Sequence, residues 1–306
     1  MSKKIKSKTV VIKVNETTIN KMKDFYQDFM RLKTPLYAIF QADCNETIIT
    51  VYESGKAMFQ GISADLEASL WGKSEVDDIK KEEKPDKDDN IYYVNSIGSD
   101  EVGTGDYFGP IIVTGALVTK SDIKFLEDLG IKDSKVLTDE FIMNTVPQLI
   151  NKIPYYSVKL SNSEYNEKYG TTMNMNKIKA VLHNKVLKFL TNEHKDNYDM
   201  VIVDQFTTPK SYFNYLKDTN SFKDITFVTK AESKNLSVAV ASMISRYLFI
   251  KEIDKLSKEI NINLPKGAGS LVDEIGKEVI KQYDEKKLFE IAKLNFKNTQ
   301  RILKID

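Results

Sequence analysis

Cysteine is almost absent from this 306-residue chain: Cys44 is the only one. A single thiol excludes an internal disulfide and a cysteine-built zinc centre. Histidine is nearly as scarce, with only His183 and His194, which excludes a histidine-rich metal site. Metal chemistry would have to run on oxygen ligands, which suits Mg²⁺ or Mn²⁺. Neither sign of charge prevails. Lys and Arg number 45 against 44 Asp and Glu, a formal net charge of +1. No global field then draws in polyanions, and a basic surface would have to be local. Long apolar runs are missing as well, none approaching the span of a membrane helix. The first residues alternate Lys with apolar side chains and lack the hydrophobic stretch of a secretory signal. The expectation is a cytoplasmic monomer without membrane association.

What is present fits a protein able to bury a core, with 41% hydrophobic and 29% charged residues. The length exceeds the usual single domain, so two are expected. The clearest boundary is KSEVDDIKKEEKPDKDDN at residues 73–90, with eight acidic and five basic residues and almost nothing apolar. Such a segment cannot bury enough surface to fold alone and reads as a solvated linker. It separates an N-terminal domain, residues 1–72, from a larger one, residues 91–306.

In the first domain, alternation predicts a strand at 9–14 and helical spacing predicts a helix over 17–32. Short strands are predicted at 36–42, 46–52 and 56–60, with Gly55 at the last turn. This order suggests a helix laid on a curved antiparallel sheet. The second domain opens with a predicted strand at 91–97, the stretch SDEVGTGDYFGP, and a strand at 111–118. Further strands are predicted at 155–160, 200–203 and 225–228. Helices are predicted over 122–129, 139–152, 175–192 and 231–256. Strands alternating with helices after an initial hairpin indicate an α/β domain with a mixed sheet.

The stretch at residues 98–110, GSDEVGTGDYFGP, is the most informative. A dinucleotide-binding loop is one reading, since Gly103, Gly105 and Gly109 are present. It fails because the spacing is GxGxxxG and a strand, not a helix, follows. Two further readings stay open on these residues alone. One is a polar hairpin with turn-forming acids. The other is a site where Asp100 and Glu101 attract a cation and the glycines let backbone approach a bulky ligand. Asp204 ends the apolar run MVIV, at the carboxyl end of a buried strand, where open α/β sheets place ligand-binding groups. Glu232 opens the predicted helix at 231–256, where the dipole alone favours an acid. Lys177, Lys179, Lys185 and Lys188 read as a solvated helix face, and His183 as a surface or partly packed helix residue.

Several ordered motifs together resemble the ribonuclease HII/HIII group of the RNase H family. GSDEVGTGDYFGP is similar to its first motif and GIKDSKVLTDE at 130–140 to its Asp-Ser-Lys motif. VIVDQF at 201–206 is similar to its third-acid strand and KAESKNLSVAVASMISRY at 230–247 to its fourth-acid helix. The type III branch is the better match. Its fourth acid is glutamate, here Glu232, and it carries an N-terminal extension with YESGKAMFQG, found here at 52–61. LPKGAG at 264–269 and AKLNFKNT at 292–299 also resemble that branch, with Asn295 where its pattern has histidine.

The resemblance implies an RNase H-like mixed sheet with helices and a small α+β, TATA-binding-protein-like N-terminal domain that binds substrate. It implies an endonuclease cutting the RNA strand of RNA/DNA hybrids to leave 5′-phosphate and 3′-hydroxyl ends. Asp100, Glu101, Asp204 and Glu232 would converge on two divalent ions, Mg²⁺ with Mn²⁺ as a substitute. Gly103, Thr104 and Gly105 would read the RNA 2′-hydroxyl. Ser134 and Lys135 would contact phosphate. Type II enzymes, which excise single ribonucleotides, have a basic residue where Thr104 stands and aspartate in place of Glu232. A fold retained without activity is the other rival, and the presence of all four acids argues against it.

Overall fold

The computed structural model describes residues 8–35, 37–71, 91–131, 137–169 and 173–303. The charged segment expected at 73–90 lies outside them, as do Ser134 and Lys135. The chain divides into two compact units, Met1–Asp86 and Lys87–Asp306. Among the described residues, no helix is long and apolar enough to cross a membrane.

The N-terminal unit runs β1 (Lys8–Lys13), α1 (Glu16–Phe25), β2 (Ala38–Cys44), β3 (Thr47–Tyr52), β4 (Lys56–Gly61) and α2 (Ala64–Ser69). The strands form one antiparallel sheet in the order β1-β4-β3-β2. Alternate residues (Ile12, Phe40, Ala42, Ile49, Val51 and Phe59) enter one core with Met22 and Tyr26. Asn15 caps α1 by accepting the Thr18 N–H at 2.9 Å. The helix ends at Phe25 rather than continuing to 32 as the periodicity predicts. A 3₁₀ turn, Gln27–Phe29, follows. Met30 then bridges Ala42, and the Arg31 N–H donates to the Gln41 carbonyl at 2.7 Å. The free edge of β2 thus captures backbone groups that a longer helix would keep.

The C-terminal unit runs β5 (Ser96–Val102), β6 (Ile111–Val118), α3 (Ile123–Asp128), α4 (Asp139–Ile150), β7 (Tyr155–Leu160), α5 (Asn162–Lys168), α6 (Met175–Glu193), β8 (Met200–Asp204), α7 (Pro209–Tyr215), β9 (Thr226–Val228), α8 (Leu236–Ile260), α9 (Ser270–Gln282), α10 (Glu285–Ile291) and α11 (Lys297–Leu303). The sheet order is β7-β6-β5-β8-β9. β5, β6 and β7 pair antiparallel, whereas β8 pairs parallel to β5 and to β9. The mixed α/β sheet expected from the sequence is present. All eight residues of β6 are buried because a helix covers each face. Ala116 and Val118 pack with α4 and α8, while Ile111, Val113 and Leu117 pack with α6. The C-terminal helices make a third core with Tyr107 and Phe108 of the glycine-rich loop.

Two boundaries differ from the sequence expectation in ways that concern the site. β5 begins at Ser96, five residues later than predicted, and runs through Asp100 and Glu101 to Val102. Glu232 lies outside the long helix, in a separate 3₁₀ turn, Ala231–Ser233. Asn235 breaks the two apart by capping α8, accepting from the Ser237 and Val238 N–H groups. A helix dipole is therefore not the reason for an acid at 232.

β5 lies directly on the start of α8. A Cβ on Gly98 would collide with Ser237 Oγ and the Val238 backbone nitrogen, and Ser96 Oγ sits 2.9 Å from Ser237 Oγ. Gly98→Ala should therefore destabilise the protein by about 3 kcal/mol, because backbone on both sides must shift. Urea denaturation of the variant checks this, and a loss below about 1 kcal/mol would show that the strand and helix can separate cheaply.

Candidate active site

Strand alternation decides where the paired acids point. Successive side chains on a strand leave opposite faces. Asp100 faces α8, where Ser242 donates to its carboxylate and Ser245 Oγ donates to its carbonyl at 3.2 Å. Glu101 emerges on the α6 face, between Lys179 and His183. The two acids are neighbours in sequence but leave opposite faces of β5.

Asp204 comes to the same end of the sheet as Asp100. β8 runs parallel to β5 with Val203 opposite Ser99, so the next residues, Asp204 and Asp100, extend together past the last paired position. Ile202 packs with Ala231 and Val238 whereas Val201 and Val203 pack with the α6 side. Asp204 thus shares Asp100's face. Its Oδ1 accepts the Ala231 N–H at 2.8 Å, and the following residue is Glu232, half-buried in the same turn.

Burial and mutual repulsion raise these carboxyls. Desolvation first, then the Glu101 and Asp204 charges, push Asp100 up to about 8. Burial, opposed by the Ala231 hydrogen bond and helped by Glu232, pushes Asp204 up to about 6. Burial would raise Glu101 too, but the Lys179 ammonium and then His183 overcome it and bring that carboxyl down to about 2. Asp100 and Asp204 therefore form a buried, charge-poor pair of oxygen donors. A hard divalent cation suits such a donor set because it supplies the missing positive charge. Among the described residues, no three acidic, His or Cys groups stand around one point at metal-binding distance. Glu101, a further candidate, has both oxygens engaged by α6.

The α6 residues were not legible as part of the site. His183, expected near the surface, is fully buried. Glu101 is ionised and can only accept, so His183 Nε2 carries the proton and donates to Oε2 at 2.9 Å. The fully buried Ser99 closes the chain at Nδ1, 2.8 Å away. Lys179 leaves the solvated face expected of it. It pairs with Glu101 Oε1, and its side chain is 12% exposed. Only the four-residue spacing of Lys179 and His183, which puts both on one helix face, hinted at a joint role.

The glycine-rich loop leaves β5 at the same end. Gly103 has φ 89°, and a Cβ there would strike the Pro110 carbonyl; only glycine fits. Gly105 is exposed, and a Cβ on it would meet nothing. Packing does not explain that glycine, whose bare backbone lies open to a ligand. Thr104 between them is half-buried. The C-terminal motifs brace this loop. The Gly267 N–H donates to Asp106 Oδ1 at 2.6 Å, and the Tyr107 N–H donates to the Gly267 carbonyl at 2.9 Å. Lys293, fully buried and pushed down to about 7 by desolvation, donates to the carbonyls of Asp106 and Gly109. Asn162 Nδ2 also donates to Gly109, at 2.8 Å. Sequence reading missed Lys293 and Asn162, whose partners lie far along the chain.

Comparison with known proteins places the chain in a family. The family model described as Ribonuclease HII matches residues 97–299. A second, described as a domain of unknown function, matches residues 9–84. The chain is 40% identical to ribonuclease HIII of Bacillus cereus, covering 98% of this chain and 99% of that one. Among solved structures, Bst-RNase HIII in complex with Mn²⁺ superposes with a TM-score of 0.70 at 36% identity, covering 97% of this chain and 99% of that one. The ribonuclease H2 of Pyrococcus horikoshii superposes with a TM-score of 0.56 at 25% identity, over 68% of this chain and 97% of that one.

Proposed function

Because the chain belongs to the ribonuclease HII/HIII family of nucleases, we propose that it is an endonuclease cutting the RNA strand of RNA/DNA hybrids, leaving 5′-phosphate and 3′-hydroxyl ends. The observation that carries this reading is the buried Asp100–Asp204 pair on neighbouring parallel strand ends, beside a backbone loop left bare at Gly105. Asp100 and Asp204 would hold the divalent ions, with Glu101 and Glu232 completing the set. When bound, two ions of Mg²⁺ or Mn²⁺ would activate water and neutralise charge on the scissile phosphate and departing oxygen. The chain's own residues do the positioning. β5 and β8 hold the two aspartates in register, and His183 fixes the Glu101 carboxylate. The loop at Gly103, Thr104 and Gly105 presents backbone groups to the 2′-hydroxyl, which separates RNA from DNA. Thr104 leaves this contact uncharged. Ser134 and Lys135 are assigned to phosphate contact on the motif alone.

Cleavage of three labelled duplexes tests the reading: a hybrid, a DNA carrying one ribonucleotide, and plain DNA. The hybrid should be cut fastest and plain DNA not at all. Preference for the single-ribonucleotide duplex would move the chain to the type II activity, and no cleavage of any would remove the nuclease reading.

We assign substrate affinity to residues 1–72. That segment carries ten basic and eight acidic residues, so its attraction for a polyanion must come from clusters such as Lys3, Lys4, Lys6 and Lys8. A second weak contact on the same chain acts at high effective concentration. Deleting residues 1–72 should therefore raise KM for a long hybrid far more than it lowers kcat. It should also flatten the salt dependence of binding, because fewer counterions are released. Equal affinities and slopes for full-length and truncated protein would show that the segment does not touch the substrate.

A further inference from the structure

Lys179 occupies an unusual position for a lysine. Its side chain and that of Glu101 are each 12% exposed, and a charge pair this shielded from water carries a large desolvation cost. The ammonium meets Glu101 Oε1, and its field also reaches Asp204. It therefore faces two of the carboxylates assigned to the divalent ions. A monovalent and a divalent cation a few ångströms apart repel strongly in a shielded site. In the same position Lys179 Nζ also lies over the Phe206 ring, 4.1 Å from its centroid, and that face attracts cations. Phe206 follows Asp204 by two residues and packs against the His183 ring, with centroids 5.2 Å apart.

We propose that Lys179 is an internal counter-cation of Glu101 that gives way to a divalent ion as the metal loads, releasing the carboxylate but keeping the Phe206 face it already touches, while His183 holds the carboxylate in place. The inference rests on the hydrolase reading above. It has a thermodynamic consequence. Breaking the Lys179–Glu101 pair is a cost charged to metal binding, so the apparent metal affinity falls below the intrinsic affinity of the carboxylates. Charge in the shielded site stays closer to balance with or without the ion.

The test is Mn²⁺ binding to the full-length protein without substrate, followed by the electron paramagnetic resonance signal of free Mn²⁺. Wild type, Lys179→Met, Lys179→Arg and Asp100→Asn are compared. Methionine keeps the length of the side chain and removes the charge; arginine keeps the charge. Lys179→Met should bind Mn²⁺ on the order of tenfold more tightly, and Lys179→Arg should stay near wild type. Equal or weaker binding by Lys179→Met, or tighter binding by both variants, overturns the counter-cation role. The Asp100→Asn arm separates this from the reading it rests on. If Asp100→Asn weakens binding and Lys179→Met changes nothing, only the exchange is wrong. If wild type and Asp100→Asn bind Mn²⁺ equally poorly, the hydrolase site itself is misassigned and the exchange falls with it.

Discussion

Asp100→Asn should lower the rate of hybrid cleavage on the order of a thousandfold or more while leaving hybrid binding close to wild type. The substitution removes one charge at nearly constant volume. Asparagine can keep the hydrogen bonds that Asp100 accepts from Ser242 and from the Glu101 N–H, the latter 2.8 Å long. The fold should therefore survive, and the variant should be more stable than wild type in chelator at alkaline pH, where the parent must carry a buried charge. Single-turnover kinetics in Mg²⁺, hybrid binding and a thermal melt separate these effects. Near wild-type turnover would mean that Asp100 holds no essential ion, and the assignment of all four acids would lose its centre.

Chelation should be equally severe. Excess EDTA should abolish cleavage; Mg²⁺ or Mn²⁺ should restore it. Ca²⁺ should bind without supporting turnover, because its larger and looser coordination suits the required geometry poorly. The ions should also stabilise the protein in a pH-dependent way. Asp100 at about 8 and Asp204 at about 6 both lie above their ordinary value of 3.8. In chelator, the stability tied to these groups is fully present below pH 4 and is lost as pH rises through about 6 and about 8, because the unfolded chain releases those protons first. Glu101, at about 2, works the other way, and its contribution disappears only in strong acid. A divalent ion offsets the alkaline loss. The rise in melting temperature on adding Mg²⁺ or Ca²⁺ should therefore be several degrees larger at pH 8.5 than at pH 5. Equal rises at both pH values, or activity persisting in EDTA, would remove the carboxylate–metal mechanism.

Local signals carried much of this protein. A continuous apolar run placed β6 at its observed bounds, Ile111–Val118. Helical spacing placed α4 and α6 to within two residues of their ends. The apolar run before Asp204 correctly implied a buried strand delivering that acid at its carboxyl end. Where local signals competed, they misled. The apolar spacing that favours a helix to residue 32 is real, but the backbone of β2 takes Met30 and Arg31. The helical pattern over 231–256 hid the break at Asn235, whose side chain caps α8 and leaves Glu232 in a turn of its own.

The sequence by itself determined the α/β class and the family, and it singled out four acids and oxygen ligands as candidates, since motifs, periodicity and scarce Cys and His are properties of short segments or of composition. Only the tertiary structure decided that Asp100 and Asp204 share one sheet face while Glu101 leaves the other, that Lys179 and His183 close on Glu101 from α6, and that Lys293 braces the glycine-rich loop. Those relations depend on which sheet face meets which helix and on which charges lose water together. Desolvation and pairing act between segments separated by tens to hundreds of residues, where neither spacing nor propensity reaches.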